Sequence, residues 1–281
     1  MNLEQISFSN EKASIYIVST PIGNLKDITF RAIETLKQVD FILAEDTRTS
    51  AKLLRHYDIK TTMISYHEFN KNEKEKMIIN YLEEGLNLAL ISDAGTPGIS
   101  DPGYEIINKA IEKGFNIIPI PGASAILASL VASGIIIQPF TFIGFLPKKK
   151  QELETTLLDY KYRKETLVIY ESPLRIKETI NDIYKIFGNR KIALLRELTK
   201  LHESIIRGDL EEIINLELME KGEYVLIIEG IDEKSIFDKY TILELYNQYI
   251  KDGMEEKDAM KLVSKKKGIK KSDIYKEIKI K

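Results

Sequence analysis

The sequence predicts an α/β protein with two domains and a short helical C-terminal extension. In the first half of the chain, short β-branched runs alternate with longer amphipathic runs, which is typical of a mostly parallel sheet covered by helices. In the second half, three strand candidates follow one another with no full helix between Ile192 and Arg207, which predicts a mixed, partly antiparallel sheet. From Leu243 onwards the pattern indicates short helices rich in lysine.

The strand candidates are short apolar segments that end in polar or glycine-rich stretches. In the first domain we predict strands at Ser14 to Ser19, Phe41 to Ala44, Met63 to Tyr66, Leu88 to Ser92, Ile117 to Ile120 and Phe140 to Phe145. In the second domain we predict strands at Thr166 to Tyr170, Ile192 to Leu195, Ser204 to Arg207 and Tyr224 to Ile228, and helices near Pro173 to Phe187 and Leu210 to Glu220.

Leu146-Pro147 and three lysines after it resemble a hinge. We therefore predict domains at 12–146 and 147–232, followed by the extension at 233–281. Ser272 is predicted as a helix N-cap, and Gly253 and Gly268 are predicted as helix stops.

The charge is balanced overall but not along the chain. The 281 residues include 41 Lys and Arg against 43 Asp and Glu, a net charge of −2, so no global positive field indicates a polyanionic partner. The segment Lys251 to Lys281 holds 11 lysines against 6 acidic residues, hence +5, which leaves −7 for the rest. A basic tail favours RNA or another anionic surface, although a solvated, lysine-rich helix pair explains it equally well.

Several function classes are excluded by what the chain lacks. It has no cysteine, which excludes disulfides and thiolate zinc sites, and its histidines, His56, His67 and His202, are scattered. We therefore expect no metal. Met1 to Asn10 does not resemble a signal peptide, and no apolar stretch approaches the roughly 20 residues that cross a bilayer. The sequence predicts a soluble, cytoplasmic protein without a membrane partner.

Four polar or glycine-rich loops follow predicted strands and precede predicted helices, where open α/β sheets bind their ligands. They are Thr20 to Asn24, Ala44 to Ser50, Ser92 to Gly103 and Pro119 to Ala125. Each has a structural explanation of its own: a tight turn, a helix cap with a Glu45–Arg48 ion pair, a helix start at Asp101-Pro102, and close helix packing on small residues. Because all four loops belong to one sheet, we expect them to form one crevice.

The crevice does not have the sequence of the common nucleotide sites. None of the loops is a Gly-x-Gly-x-x-Gly loop or a phosphate-binding Gly-Lys-Ser/Thr loop. Asp93, at the end of a strand, suits hydrogen bonds from ribose hydroxyls or an ammonium group. These observations favour a nucleoside ligand other than a dinucleotide or a nucleoside triphosphate.

Five motifs in order resemble the bacterial ribosomal RNA small subunit methyltransferase I family, a branch of the tetrapyrrole methylase superfamily. The motifs are Ser19 to Asn24, Ala44 to Arg48, Ser92 to Gly103, Pro121 to Ala125 and Tyr170 to Arg175, and Arg196 to Lys200 and Gly208 to Leu210 follow in register. The resemblance implies a two-domain tetrapyrrole methylase-like fold with S-adenosylmethionine in the cleft between the domains. It also implies 2′-O-methylation of a cytidine ribose in the decoding region of 16S rRNA, and a homodimer.

The resemblance also implies roles for individual residues. Those assigned to the methyl donor are Pro21, Gly23, Asp93, Gly95, Pro97, Gly98, Ser124 and Ala125. Those assigned to catalysis on the RNA side are Glu45, Asp46, Arg48, Glu171, Arg175 and Glu197. A general base or a cation is expected to assist the 2′-hydroxyl, and the sequence does not rank these candidates.

Basic residues expected to contact RNA phosphates are Lys148 to Lys150, Lys161, Arg163, Lys164 and the lysines from Lys265 to Lys271. Two alternatives stay open: a methyltransferase that acts on carbon of a tetrapyrrole precursor, and a non-catalytic RNA-binding ribosome-assembly factor.

Overall fold

The computed structural model describes residues 4–7, 11–231 and 240–279. The predicted boundary between residues 232 and 233 lies outside the described residues, as do parts of the segment Met1 to Asn10. Contacts divide the chain into unit 1, Met1–Ala132 with Leu195–Ile205, and unit 2, Ser133–Leu194 with Ile206–Lys281. The predicted domain limits 12–146, 147–232 and 233–281 stay a prediction.

Unit 1 is built on a parallel sheet of five strands in the order β3-β2-β4-β1-β5. The strands are β1 Ser14–Val18, β2 Phe41–Ala44, β3 Thr62–Ser65, β4 Leu88–Ile91 and β5 Asn116–Ile120. The helices are α1 Phe30–Gln38, α2 Thr47–His56, α3 Lys71–Glu83, α4 Tyr104–Glu112 and α5 Ala125–Ser133, with a 3-10 turn at Leu25–Asp27. The parallel sheet predicted for the first half is confirmed for these five strands, but the sixth predicted strand, Phe140 to Phe145, belongs to the second sheet.

This sheet is buried on both faces. In β4, Ala89 and Ile91 face one apolar cluster, while Leu88 and Leu90 face another. Residues of α1 and α2 belong to the first cluster, and residues of α3 and α4 belong to the second. Burial on both faces explains why these strands are continuous apolar runs rather than alternating ones.

Unit 2 holds most of a mixed sheet in the order β6-β7-β10-β8-β9. Its strands are β6 Phe140–Phe145, β7 Thr166–Glu171, β8 Lys191–Arg196, β9 Ser204–Asp209 and β10 Tyr224–Ile228. β7 runs parallel to β6 and antiparallel to β10, which confirms the predicted mixed sheet. Up to residue 231, where the first described part of this unit ends, its helices are α6 Lys150–Tyr160, α7 Ile176–Phe187 and α8 Leu210–Ile213.

Within residues 240–279, three further helices form the C-terminal segment: α9 Ile242–Lys251, α10 Glu256–Lys267 and α11 Lys271–Lys279. They share an apolar cluster of their own, which includes Leu245, Met260 and Ile274. Gly268 adopts a left-handed φ of 66° at the end of α10, as a helix stop requires. The short lysine-rich helices predicted from Leu243 onwards are confirmed.

Three predicted helix limits were wrong. The helix expected to run from Leu210 to Glu220 is the single turn Leu210–Ile213. The helix expected to begin at Asp101-Pro102 begins at Tyr104, because Gly103 takes a φ of 151° directly before it. The last helix begins at Lys271, so Ser272 lies inside it and is not its N-cap.

Within the described residues, no helix has the length and apolar content needed to span a membrane.

Candidate active site

The candidate site lies in unit 1, at the edge of the sheet where the parallel strands end. The strand order places the loops that follow β3, β2, β4, β1 and β5 side by side along this edge. All four loops predicted from the sequence are therefore neighbours, and a fifth, after β3, lies at the end of the row.

Hydrogen bonds tie the loops after β1 and β4 together. Thr20 and Gly95 form an isolated antiparallel bridge, with N–H to carbonyl distances of 2.8 and 3.1 Å. The hydroxyls of Ser19 and Thr96 lie 2.8 Å apart. Gly95 has a φ of 79°, a left-handed conformation that glycine adopts without strain.

The loop after β5 approaches the same point. A Cβ atom on Gly122 would lie 2.9 Å from Cβ of Ser19, so only glycine allows this approach. Ser124 precedes α5, and its hydroxyl accepts a hydrogen bond from the N–H of Leu127 at 3.4 Å. The three loops assigned to the methyl donor thus form one continuous backbone surface.

The segment between β8 and β9 supports the first loop and belongs to unit 1. The N–H of Asn24 donates to Oγ1 of Thr199 at 3.1 Å, and a Cβ on Gly23 would lie 2.5 Å from Cγ of Lys200. Glu197 and Thr199 have positive φ angles of 53° and 66°. Such conformations are strained for residues other than glycine and occur where the surroundings enforce them.

The loop after β2 is organised by Asp46. Its carboxylate caps α2 by accepting from the N–H of Arg48 at 2.8 Å, and it also binds the guanidinium of Arg48 at 2.8 Å. The N–H of Asp46 donates to Oδ1 of Asp93 at 3.2 Å, which joins this loop to the loop after β4. Arg48 therefore pairs with Asp46 rather than with Glu45, the partner that the sequence suggested.

Four carboxylates make this part of the edge negative. Burial raises the pKa of Glu45, and the charges of Asp101 and Asp93 raise it further. Desolvation also raises the pKa of Asp93 and of Asp101. Hydrogen bonds from Arg48 have the opposite effect on Asp46 and lower its pKa to about 2.

Glu171 and Arg175 lie in unit 2, at the end of β7 and before α7. The Glu171 side chain is fully buried and accepts from Oγ1 of Thr179 at 2.6 Å and from the N–H of Ser172 at 2.8 Å. Arg175 lies 3.6 Å from Glu171 and donates to the carbonyls of Leu146 and Pro147 at 3.2 and 2.9 Å. The bonds of both side chains hold the ends of β6 and β7 together.

The predicted site residues thus fall into two groups. Unit 1 contains all the residues assigned to the donor, together with Glu45, Asp46, Arg48 and Glu197. Glu197 binds Lys200 at 2.9 Å. Unit 2 contains Glu171 and Arg175. These positions do not test the catalytic and binding roles of the residues, so the roles stay predictions.

Sequence reasoning missed the support from Thr199 and Lys200, and it missed the loop after β3. The second omission was avoidable, because His67 to Asn70 follows a predicted strand and precedes a helix as the other four loops do. The contact between Asn24 and Thr199 joins residues 175 positions apart, and no local sequence pattern predicts it.

A family model described as tetrapyrrole (corrin/porphyrin) methylases matches residues 14–214. A solved structure of a cobalamin biosynthetic enzyme, cobalt precorrin-4 methyltransferase, is similar in fold, with a TM-score of 0.58 at 17% identity over 77% of this chain and 94% of that one. The two-domain methylase fold implied by the resemblance is confirmed.

Curated relatives match over nearly the whole chain. A protein of Halalkalibacterium halodurans is 47% identical, covering 95% of this chain and 94% of its own. One of Bacillus subtilis is 44% identical, covering 96% of each, and one of Synechocystis is 38% identical, covering 93% and 95%. All three are named ribosomal RNA small subunit methyltransferase I. The chain belongs to this methyltransferase family, within the tetrapyrrole methylases.

Proposed function

We propose that this protein transfers a methyl group from S-adenosylmethionine to the ribose 2′-hydroxyl of a cytidine in the decoding region of 16S rRNA. The observation that carries the proposal is full-length similarity, at 38–47% identity, to relatives named for methylation of small-subunit ribosomal RNA. The site supports it through the joined loops along one sheet edge. A cytoplasmic location follows from such a substrate.

The residues present fit the proposed donor. S-adenosylmethionine supplies a methyl group already activated on a positively charged sulfonium. The loops after β1, β4 and β5 offer a glycine-lined surface, and Gly98 has no atom within 4 Å of the position of a Cβ. The carboxylates of Asp93, Asp101 and Glu45 are held where burial and mutual repulsion oppose their charge. A cationic ligand relieves that repulsion, which favours this donor over an anionic nucleotide.

Alignment of the two substrates supplies most of the catalysis in such a transfer. A carbon–oxygen bond forms to the 2′-oxygen, the carbon–sulfur bond breaks, and the hydroxyl proton leaves. We assign proton removal to Glu45, because its raised pKa makes it a better base than Asp46, whose pKa is about 2. The guanidinium of Arg48, 90% exposed and oriented by Asp46, stabilises the developing negative charge on oxygen.

We assign Glu171, Arg175 and Glu197 to positioning rather than to chemistry. The oxygens of Glu171 are already engaged within unit 2, and Arg175 binds two backbone carbonyls. Glu197 binds Lys200 in the segment that supports the Thr20 to Asn24 loop. Each side chain therefore acts through the loop that it holds.

We further propose that the protein acts on the small ribosomal subunit, without a metal, as a homodimer. Leu127 and Val131, one helical turn apart on α5, are 59% and 73% exposed and give unit 1 an apolar face of the kind that homodimers bury. Among the basic residues expected to contact RNA, Lys150 binds the buried carboxylate of Asp182, so it serves the fold as well. Sedimentation velocity tests the dimer.

The test of function is transfer of labelled methyl to 30S subunits that lack methylation in the decoding region, with the product nucleoside identified by mass. We expect 2′-O-methylcytidine. A parallel reaction with uroporphyrinogen covers the tetrapyrrole alternative, and label in that acceptor alone would overturn the proposal. Tight binding to 30S subunits with no transfer to either acceptor would indicate the non-catalytic assembly factor.

A further inference from the structure

The loop after β3 has no role in the function proposed above, yet it emerges beside the loop that carries Arg48. Ala44 at the end of β2 is paired with Ser65 at the end of β3, and the N–H of Tyr66 donates to the Ala44 carbonyl at 2.8 Å. Paired strands lie about 4.8 Å apart. Arg48 and Phe69 each lie four residues beyond a member of this pair, so the two loops are neighbours.

The loop after β3 is a closed turn rather than a loose segment. The N–H of His67 donates to Oδ1 of Asn70 at 2.8 Å, and the His67 carbonyl accepts from the N–H groups of Asn70 and Lys71, both at 3.0 Å. The Asn70 amide also donates to the carbonyl of Ser65 at 3.1 Å. The turn is therefore fixed before any ligand arrives.

This rigid turn presents Phe69 to solvent. Phe69 is 97% exposed, more than any other large apolar side chain in the described residues. Its ring meets the ring of His67 edge-on, with 6.1 Å between centroids. Its chain neighbours Glu68 and Asn70 are polar, so the turn itself presents one aromatic side chain and no apolar run.

The neighbouring helix α2 presents positive charge. Arg48, Lys52 and Arg55 are exposed and follow one another at helical spacing, four and three residues apart, which places them on one face. The row begins at Arg48, near the turn that carries Phe69, and continues along α2 towards the start of β3, where Arg55 lies near Lys60 and Thr61. Proteins bind unpaired nucleotides with an exposed aromatic group at the head of such a row of cations: the base stacks on the ring, and the phosphates meet the cations.

We propose that Phe69 stacks on an unpaired base of the RNA acceptor, while Lys52 and Arg55 bind phosphates of the same strand farther along α2. This inference rests on the proposed function, since it assigns the acceptor to the β2 and β3 end of the site and leaves the donor at the loops after β4, β1 and β5. Phe69 then positions the RNA strand without contacting the reacting atoms.

The test compares Phe69→Ala and Phe69→Trp with the wild type and with Leu158→Ala, an exposed apolar residue on α6 in unit 2. For Phe69→Ala we expect the KM for 30S subunits to rise roughly 5- to 150-fold, the range that stacking one base is worth. Donor affinity and Tm stay at wild-type values. Phe69→Trp, which keeps a stacking surface, and Leu158→Ala behave as the wild type does.

A second readout does not depend on turnover. A single-stranded RNA carrying 2-aminopurine loses fluorescence when the base stacks on a protein ring, so quenching by the wild type and none by Phe69→Ala is expected. An unchanged KM and equal quenching in Phe69→Ala would overturn the inference while leaving the methyltransferase in place. A KM effect on 30S subunits without any effect on the RNA oligonucleotide would assign Phe69 to a ribosomal protein and also overturn it. Failure of the wild type to methylate 30S subunits would count against the proposed function, and the quenching would still decide the role of Phe69.

Discussion

Glu45 is a half-buried carboxylate with three other carboxylates near it, and these neighbours decide how it titrates. Burial is the largest cause of its raised pKa, followed by the charges of Asp101, Asp93 and Asp46. A carboxyl whose pKa is higher in the folded than in the unfolded protein lowers the free energy of unfolding once the pH exceeds its unfolded value, here 4.5. The same property that suits Glu45 to accept a proton therefore costs the fold stability at neutral pH.

Glu45→Gln tests both consequences. We expect kcat for methyl transfer to fall by about 100-fold or more, as when a general base is lost. The Kd for S-adenosylmethionine should rise by less than kcat falls, because Asp93 and Asp101 remain to attract the cationic donor. The variant should have a higher Tm than the wild type at pH 7, and this difference should disappear as the pH falls below 4.5, where Glu45 is protonated in both states. Thermal unfolding between pH 3.5 and 8 measures it. Full activity in the variant would remove Glu45 from the chemistry.

Glu171 illustrates the opposite case, a carboxylate with no exposed surface. Glu171→Gln keeps the shape but replaces one accepting oxygen by an amide donor facing Thr179 and Arg175. We expect the free energy of unfolding to fall by about 1–3 kcal/mol, which lowers Tm on the order of 2–12 °C. At temperatures well below Tm, kcat stays within about threefold of the wild type.

The matched control for this change is Glu178→Gln, an exposed carboxylate on α7, for which no change in Tm is expected. A Glu171→Gln protein with normal stability and no activity would instead place this carboxylate against the RNA.

At the scale of elements, the segment between β8 and β9 and the loop after β1 depend on each other. In Gly23→Ala, the new Cβ would lie 2.5 Å from Cγ of Lys200 and 3.0 Å from the carbonyl oxygen of Leu198. One of the two elements must move, so we expect weaker binding of S-adenosylmethionine and a lower Tm. Isothermal titration and thermal unfolding measure both.

A double variant identifies the cause of this effect. Lys200→Ala removes the Cγ atom, so Gly23→Ala should cost less in that background than in the wild type. Gly208→Ala is the control, because the nearest atom to its Cβ would be the end of the flexible Glu212 side chain, at 3.0 Å, and the Ile213 atoms at 3.7 Å would be in ordinary van der Waals contact. Equal costs of Gly23→Ala in both backgrounds would mean that Lys200 is not the obstacle.

The strands could be predicted from the sequence because buried strands require apolar residues, and runs of apolar residues are visible in the sequence. All ten predicted strands are present, with limits that differ by no more than two residues, since continuous apolar runs such as Leu88 to Ile91 are required wherever a strand is covered on both faces. Helix limits were less predictable. The helix expected to begin at Asp101-Pro102 begins only after Gly103, whose φ of 151° favours glycine.

The candidate site was predictable to the level of loops and not of contacts. Glycine and proline after a strand predict a loop. The carboxyl ends of parallel strands lie at the same edge of a sheet, so the predicted parallel sheet placed these loops in one row. Which cation meets which carboxylate depends on rotamers and strand order. The sequence suggested Glu45 as the partner of Arg48, but Arg48 pairs with Asp46, which also caps α2.

At the scale of the whole molecule, the three C-terminal helices carry the basic surface that the sequence assigned to RNA. Lys265, Lys270 and Lys271 are exposed around the end of α10. Replacing these three lysines by glutamine should weaken binding to 30S subunits and reduce the slope of log K against log salt concentration by about 1 for each phosphate that a lysine no longer neutralises. The apolar cluster of α9 to α11 is untouched, so Tm should not change.

The matched control replaces three exposed lysines elsewhere, Lys37, Lys177 and Lys191, and should leave the salt slope as it is. If both triple variants lose affinity equally, the tail contributes only net charge.

Unit 1 is discontinuous in the chain, and this sets the order in which it is completed during synthesis. The N–H of Asn24 binds a hydroxyl that is translated 175 residues later. At roughly 5 to 20 residues per second, the loop after β1 waits about 10 to 35 s for that partner. A nascent chain that ends just before residue 195 therefore contains all five strands of the first sheet but lacks the segment Leu195–Ile205 that supports the loop after β1. Ribosome-bound chains of increasing length should bind the methyl donor fully only after Lys200 has left the exit tunnel.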